Sequence, residues 1–215
     1  AAHDRAFIVA GAAKADLLTD LRGAVDQAVQ GGSLGQFRKD FDRIVATRGW
    51  TGWTGEGSAA GVAWRTKVIY QTNLLTSHAA GRYRQLTDPD TLDSHPYWQY
   101  VHSDSVLHPR PLHQSWDGLT LRHDHPFWAE HFPPNGWGCR CRVTAVSEAQ
   151  AKRDGGRFGQ PPDDGINERT GTPNGIDRGW DYMPGDTVTD HIRQTLTAKA
   201  ASLPSQIGAA LLRDL

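Results

Sequence analysis

The stretch PPNGWGCRCRVTAV, from Pro133 to Val146, decides how the second half of the chain folds. Proline fixes φ and Asn-Gly tolerates positive φ, so the first four residues of the stretch predict a turn. Polar and apolar residues alternate from Cys141 to Val146, which predicts a strand. The turn therefore delivers Cys139 and Cys141 to the beginning of this strand.

These two cysteines are the only ones in the chain. On an extended chain, the side chains of Cys139 and Cys141 point to the same side, and a disulfide across one residue would be badly strained. Two thiolates in this arrangement supply half of a tetrahedral zinc site. The alternative is a pair of reduced cysteines that pack or lie free. Without a disulfide framework, both cases indicate a reducing compartment at synthesis.

Seven of the ten histidines lie between His95 and His131, directly before the cysteines. We expect His113 to be the third zinc ligand, because it lies in a polar, proline-flanked segment before a predicted turn. In contrast, His95, His102 and His131 are expected to be surface or hydrogen-bonded structural residues. The fourth ligand is open among Asp104, His108, His123, His125 and water.

The N-terminal third has the periodicity of amphipathic helices. Leucine and valine recur from Leu17 to Val29 and predict a first helix, which Gly31-Gly32 ends. The residues from Ser33 to Gln36 match a capping box and predict a second helix. A third, long helix is predicted from about Ala59 to Leu86. Its expected inward stripe consists of Trp64, Val68, Thr72, Leu75, Ala79 and Tyr83.

The pattern then changes to short strands. The segments Tyr97 to Val101 and Leu119 to Leu121 are rich in strand formers, and Ser147 to Gln150 match another capping box. The residues from Asp154 to Asp186 are rich in Gly, Pro, Asp and Asn, which predicts an extended surface arm. Two short helices are predicted from about Thr189 to Leu215.

These elements predict an α+β fold in three parts. Residues 1–88 form a helical region with the long helix, and residues 89–150 form a small β-rich, loop-heavy lobe organised by zinc. Residues 151–215 form the arm and the C-terminal helices. The lobe has few long apolar runs, so we expect a small core. Zinc bound to thiolates supplies about 10–16 kcal/mol of folding free energy in small fingers.

The formal net charge of -1 excludes a strongly basic nucleic-acid coat but not a local basic face. The candidate basic residues are Arg65, Lys67, Arg82 and Arg84 on the long helix, with Arg140 and Arg142 near the cysteines. A solvated face is the ordinary interpretation of such charges, and contact with nucleic-acid phosphates is the alternative. No apolar run approaches the ~18 residues of a membrane-spanning helix. The chain begins with Ala1 and shows no signal-peptide pattern, so we expect an excerpt or a processed product.

An ordered series of motifs resembles a known family. The series consists of Arg65-Thr66, Thr72-Asn73, Asp104, Arg110 to His113, Asp117-Gly118, Pro126 to Trp128, and Pro133 to Cys141. Over roughly Ala6 to Gln150, the chain resembles the phage Mu F-like minor head proteins, a branch of the phage head morphogenesis family. Several relatives have Cys-x-x-Cys where this chain has Arg110 to His113, which with Cys-x-Cys would make a four-ligand metal knuckle. Here Arg110 replaces the first cysteine, so the resemblance implies three ligands and leaves the fourth open.

The resemblance implies a structural role rather than an enzymatic one. Such proteins enter the procapsid in low copy, associate with the portal and assist head assembly or DNA delivery, and some members bind DNA. We therefore expect a minor head protein of a phage or prophage, located in the virion head after synthesis in the bacterial cytoplasm. The implied partners are the portal, other capsid or scaffold proteins, and phage DNA.

The alternative function is a metal-dependent hydrolase or nuclease module, of the kind carried by phage-derived toxins. Zinc catalysis needs an open coordination position and a nearby general base. Asp104, Asp117 and Glu130 are the candidates for this base. The chain has no HExxH zinc-hydrolase motif, and we assign no catalytic residue.

Overall fold

Three helices form the N-terminal half in the computed structural model, which describes residues 7–106, 108–187 and 196–203, and serine side chains cap two of them. Helix α1 is Ala15–Val29, α2 is Leu34–Arg48 and α3 is Ala59–Leu86. The hydroxyl oxygen of Ser33 accepts a hydrogen bond from the backbone N–H of Gln36, as the capping box predicts. Ser58 caps α3 in the same way, through the backbone N–H of Gly61. The three predicted helices are confirmed.

The three helices enclose a buried hydrophobic cluster, here called the helical cluster. Leu21 of α1, Phe37 and Phe41 of α2, and Ile69 of α3 belong to it. The indole of Trp53 meets the ring of Phe41 edge-on, with ring centroids 5.3 Å apart. Residues 50–55, between α2 and α3, therefore form a turn that packs the indoles of Trp50 and Trp53 on Phe41.

Helix α3 buries polar residues beside the predicted stripe. Of that stripe, Thr72 and Ala79 are buried and Val68, Leu75 and Tyr83 are half-buried. Trp64, predicted to point inward, is 51% exposed, whereas Thr66, Asn73 and Thr76 are buried. The Asn73 amide donates hydrogen bonds to the backbone carbonyls of Ile69, on the same helix, and of Ile8. Buried polar groups persist where they find such partners. The predicted stripe is therefore wrong at Trp64 and misses the buried polar residues beside it.

Arg65 is buried on the same face and is only 7% exposed. Its guanidinium donates a hydrogen bond to the backbone carbonyl of Ala10, and this bond holds the N-terminal segment against α3. Burial lowers the pKa of Arg65. The side chain is enclosed by the protein itself, and nucleic-acid contact through Arg65 stays a prediction.

The second half of the described chain contains one four-stranded sheet with the strand order β3-β1-β2-β4. The strands are β1 (Tyr97–Val101), β2 (Leu119–Arg122), β3 (Arg142–Val146) and β4 (Arg157–Phe158). Strand β1 pairs antiparallel with β2 and β3, and β2 pairs parallel with β4. The short helices are α4 (Pro89–Ser94), α5 (Pro111–Ser115), α6 (Phe127–His131) and α7 (Glu148–Arg153). The α+β class is confirmed.

Aromatic residues dominate the second buried cluster, here called the sheet cluster. Trp98 of β1 meets Trp128 and Phe132 edge-on, with ring centroids 5.8 and 5.5 Å apart. The cluster is larger than the short apolar runs predict, because single large rings from many segments fill it. Leu86 at the end of α3 belongs to the sheet cluster, while Ile69 belongs to the helical cluster, so α3 joins the two.

The predicted arm contains little regular structure, but it packs against the lobe instead of lying wholly on the surface. Ile176 and Trp180 of the arm are buried in the sheet cluster. The guanidinium of Arg157, in β4, donates a hydrogen bond to the backbone carbonyl of Asp117 at 3.0 Å. The two helices predicted from Thr189 to Leu215 fall mostly outside the described residues. Within this stretch the structure describes residues 196–203, and residues 196–201 are helical.

Gly55 and Gly61 allow the turn that precedes α3 to make backbone contact with this helix. A Cβ atom at Gly61 would lie 2.3 Å from the carbonyl oxygen of Gly55, whereas one at Gly81, on the same helix, would meet nothing within 4 Å. We predict that Gly61→Ala lowers the free energy of unfolding by about 1–3 kcal/mol through this overlap. The control, Gly81→Ala, should raise it by about 0.5–1 kcal/mol through helix propensity. Denaturant titration of both variants measures the two changes, and equal effects would contradict the close contact.

Candidate metal centre

Three segments of the chain meet beside the first residue of β3. His113 lies on the short helix α5, Cys139 follows the proline-rich turn, and Cys141 directly precedes β3. A hydrogen bond joins the proline-rich turn to the sheet. The hydroxyl of Tyr100, on β1, donates to the side-chain oxygen of the buried Asn135 at 2.9 Å. The fold therefore brings together residues that are 26 and 28 positions apart.

The three side chains are close enough to share one ion. The Nδ1 atom of His113 lies 3.6 Å from Cys139 Sγ and 3.8 Å from Cys141 Sγ, and the three ligand atoms all lie within 4.8 Å of one another. His113 and Cys139 are nearly fully buried. Within the part of the chain that the structure describes, this is the one such group of His, Cys, Asp or Glu side chains. It could hold a metal ion.

The arm fixes the orientation of the His113 ring. The Nε2 atom lies 2.8 Å from the backbone carbonyl oxygen of Gly175, which can only accept a hydrogen bond. Nε2 therefore carries the proton, and the lone pair of Nδ1 faces the two sulfur atoms. The ring also stacks on Trp116, whose indole N–H donates to Asp164 of the arm at 2.6 Å. This is the support that metal-binding histidines ordinarily receive.

The two thiols shift each other's pKa in opposite directions. The hydrogen bond from the Cys139 thiol lowers the pKa of Cys141, against the opposing effect of burial. The same hydrogen bond, burial and the charge of its neighbour raise the pKa of Cys139 above its ordinary value. A divalent cation would stabilise both thiolates, because coordination deprotonates a thiol outright.

The other predicted ligands lie outside this group. Asp104 and His108 are exposed. His125 uses its Nδ1 atom to accept a backbone N–H at the beginning of α6. His123 packs edge-on against Trp98, with ring centroids 6.2 Å apart. The structure does not bring these four residues together with the cysteines.

His102, expected at the surface or in a structural hydrogen bond, lies beside Cys141. Its side chain is 6% exposed, and its Nδ1 atom is 3.5 Å from Cys141 Sγ. Strands β1 and β3 pair with Val101 opposite Arg142, so the continued register places His102 opposite Cys141. The proximity of His102 to Cys141 follows from the pairing of two predicted strands. The type and spacing of single residues do not predict it.

The candidate general bases also lie outside the group. The carboxylate of Asp117 accepts a hydrogen bond from the backbone N–H of His102 at 2.7 Å, and Glu130 is exposed on α6. Asp117 therefore helps to place the residue after β1. Hydrolase or nuclease activity stays a prediction.

A cavity of about 570 Å³ between α3 and β3 borders the two cysteines. Arg82, Arg140 and Arg142 line it, while Lys67 and Arg84 lie on exposed positions of α3. The cavity therefore has a basic lining next to the sulfur atoms. Nucleic-acid contact through these residues stays a prediction.

Comparison with known proteins identifies the family. The family described as phage Mu protein F like protein matches residues 19–144. The chain belongs to this family. This F-like chain is 37% identical to the putative capsid assembly protein F of Escherichia phage Mu over 246 residues, which cover 96% of the chain and 54% of that protein. It is 38% identical to the Mu-like prophage FluMu F protein of Haemophilus influenzae over 152 residues. This alignment covers 68% of the chain and 36% of that protein.

The resemblance to Mu F-like proteins is thus confirmed. The F-like chain spans about half of the phage Mu protein and about a third of the prophage protein. No solved structure matches it. None of the helices in the described ranges has the length and apolar content that crossing a membrane requires.

His131 shows how tightly the F-like lobe packs around the centre. Its imidazole is buried on α6, stacks on Phe127 with ring centroids 4.0 Å apart, and meets the edge of Trp116. Burial lowers the pKa of His131 to about 4, so the ring is uncharged at neutral pH. The expectation of a structural role for this histidine agrees with these contacts.

This pKa predicts a loss of stability in acid. An unfolded histidine titrates near pH 6.5, so between about pH 6.5 and 4 the unfolded state binds a proton that the folded state excludes. We predict that the free energy of unfolding falls by up to about 3 kcal/mol as the pH decreases through this window. The variant His131→Gln should lack this part of the pH dependence. Chemical denaturation of both proteins at equal zinc concentration isolates the difference, and parallel stability profiles would contradict the buried neutral ring.

Proposed function

We propose that this chain is part of a minor head protein that enters phage heads during assembly and contacts the portal and other capsid or scaffold proteins. The observation that carries the proposal is the similarity, over 96% of the chain, to a protein named putative capsid assembly protein F. The proposed location is the procapsid interior and then the virion head, after synthesis in the bacterial cytoplasm. DNA packaging or delivery belongs to the same proposal.

We also propose that zinc binds to His113, Cys139 and Cys141. Two sulfur donors and one nitrogen donor are typical zinc ligands. They come from a short helix, a turn and the beginning of a strand, so one ion would cross-link segments that no regular hydrogen-bond ladder joins. The fourth ligand decides between a closed structural site and an open catalytic one.

We predict that the protein is a low-copy component of purified heads. Quantitative mass spectrometry of heads from a phage or prophage that encodes it measures this directly, and crosslinking tests contact with the portal. Deletion of its gene should reduce the yield of filled heads, and the unaltered gene supplied in trans should restore it. Absence from the heads, together with a normal yield after deletion, would contradict the assembly role.

We predict one zinc ion per chain, lost on Cys139→Ser or His113→Ala. His108→Ala is the matched control, because it removes an exposed imidazole of the same lobe. Zinc at 1,000 times its Kd adds about 4 kcal/mol to the free energy of unfolding. A chelator should therefore lower the thermal midpoint of the unaltered protein and of the control, but not that of the two ligand variants. Elemental analysis and thermal unfolding measure these effects, and normal zinc content in Cys139→Ser would contradict the site.

A further inference from the structure

We propose that His102 is the fourth ligand, which makes the centre a closed site of two thiolates and two imidazoles. This inference rests on the zinc centre proposed above and adds a residue to it. The strand register, the 3.5 Å between His102 Nδ1 and Cys141 Sγ, and the balance of charge support it. The ring nitrogens of His102 do not lie within 4.8 Å of all three other ligand atoms, so the ring would move toward His113 and Cys139 when the ion binds.

The backbone places His102 beside the cysteines whether or not a metal is bound. In the antiparallel pairing of β1 and β3, the residue after Val101 faces the residue before Arg142. Side chains of such a pair lie on one face of a sheet, with Cβ atoms about 4.5–5.5 Å apart. The pairing thus brings His102 and Cys141 together before any ligand bond forms.

The ring of His102 is buried without a hydrogen-bond partner for its outer nitrogen. Nδ1 faces Cys141 Sγ, and Nε2 is buried with no partner among the residues described by the structure. An unpaired buried polar atom destabilises the folded state. A bond from Nδ1 of His102 to zinc would fix the proton of this ring on Nε2. The carbonyl of Gly175 selects the same tautomer in His113.

Asp104 is placed to orient this ring rather than to bind the ion. Its Oδ1 atom lies 4.0 Å from His102 Nε2, and its side chain is fully exposed. A small side-chain rotation would let the carboxylate accept the proton on Nε2. Metal-bound histidines ordinarily donate their second N–H to a carboxylate or a carbonyl. Asp104 would thus be a positioning residue, as Gly175 is for His113.

The balance of charge favours an imidazole over a carboxylate as the fourth ligand. Two thiolates neutralise the zinc ion, and two neutral imidazoles leave the centre uncharged. A carboxylate would add a negative charge beside His113 and Cys139, which are nearly fully buried, and an unpaired buried charge is costly. A closed site of this kind is structural, because it lacks the open position that zinc catalysis requires.

Cobalt(II) substitution tests this ligand, because tetrahedral cobalt bound to thiolates has strong visible absorption bands. We expect His102→Ala to weaken zinc binding at least about 100-fold, measured by competition with a chelator, and to weaken the tetrahedral cobalt bands. The matched control is His123→Ala, which removes another imidazole of the lobe and should leave both near their unaltered values. Asp104→Ala should weaken zinc binding about tenfold and keep the bands.

The variant His102→Cys protects the test against misfolding of the alanine variant. It should keep tetrahedral cobalt and strengthen the sulfur-to-cobalt charge-transfer band by about half, because three thiolates replace two. If the folded cysteine variant lacks this gain, or if His102→Ala keeps normal affinity and bands, the assignment of His102 is overturned. Loss of the bands in Asp104→Ala alone would overturn it in favour of the carboxylate. If the unaltered protein binds neither zinc nor cobalt, the zinc centre itself is overturned.

Discussion

The meeting of one imidazole with two sulfur atoms connects parts of the chain that no regular structure joins. His113 lies on a helix of five residues, and the cysteines lie where a turn becomes a strand. The second nitrogen of the same ring reaches the arm at Gly175. Formation of the centre and docking of the arm are therefore linked, because both need the ring in one orientation and one tautomer.

Helix α3 makes the helical part and the lobe one unit. Its 28 residues span about 42 Å, and it contributes Ile69 to the helical cluster and Leu86 to the sheet cluster. The cavity beside the cysteines lies between this helix and β3.

The sequence predicts those elements in which a local contact decides the geometry. Ser33 and Ser147 each accept a backbone N–H three residues onward, so the two helices they cap could be placed from the sequence. Arg65 could not, because the carbonyl that accepts its hydrogen bond is 55 positions away. The position of His102 beside Cys141 depends on the register between two strands, which residue types do not specify. The spacing of Cys-x-Cys, by contrast, was a sufficient signal to find the sulfur pair.

Anomalous diffraction at the zinc absorption edge, from crystals of protein purified without chelators, tests the central claim most directly. We predict a single strong peak about 2.3 Å from both cysteine sulfur atoms and about 2.0–2.1 Å from Nδ1 of His113. An absent peak, with the sulfur atoms and the imidazole separated from one another, would contradict it.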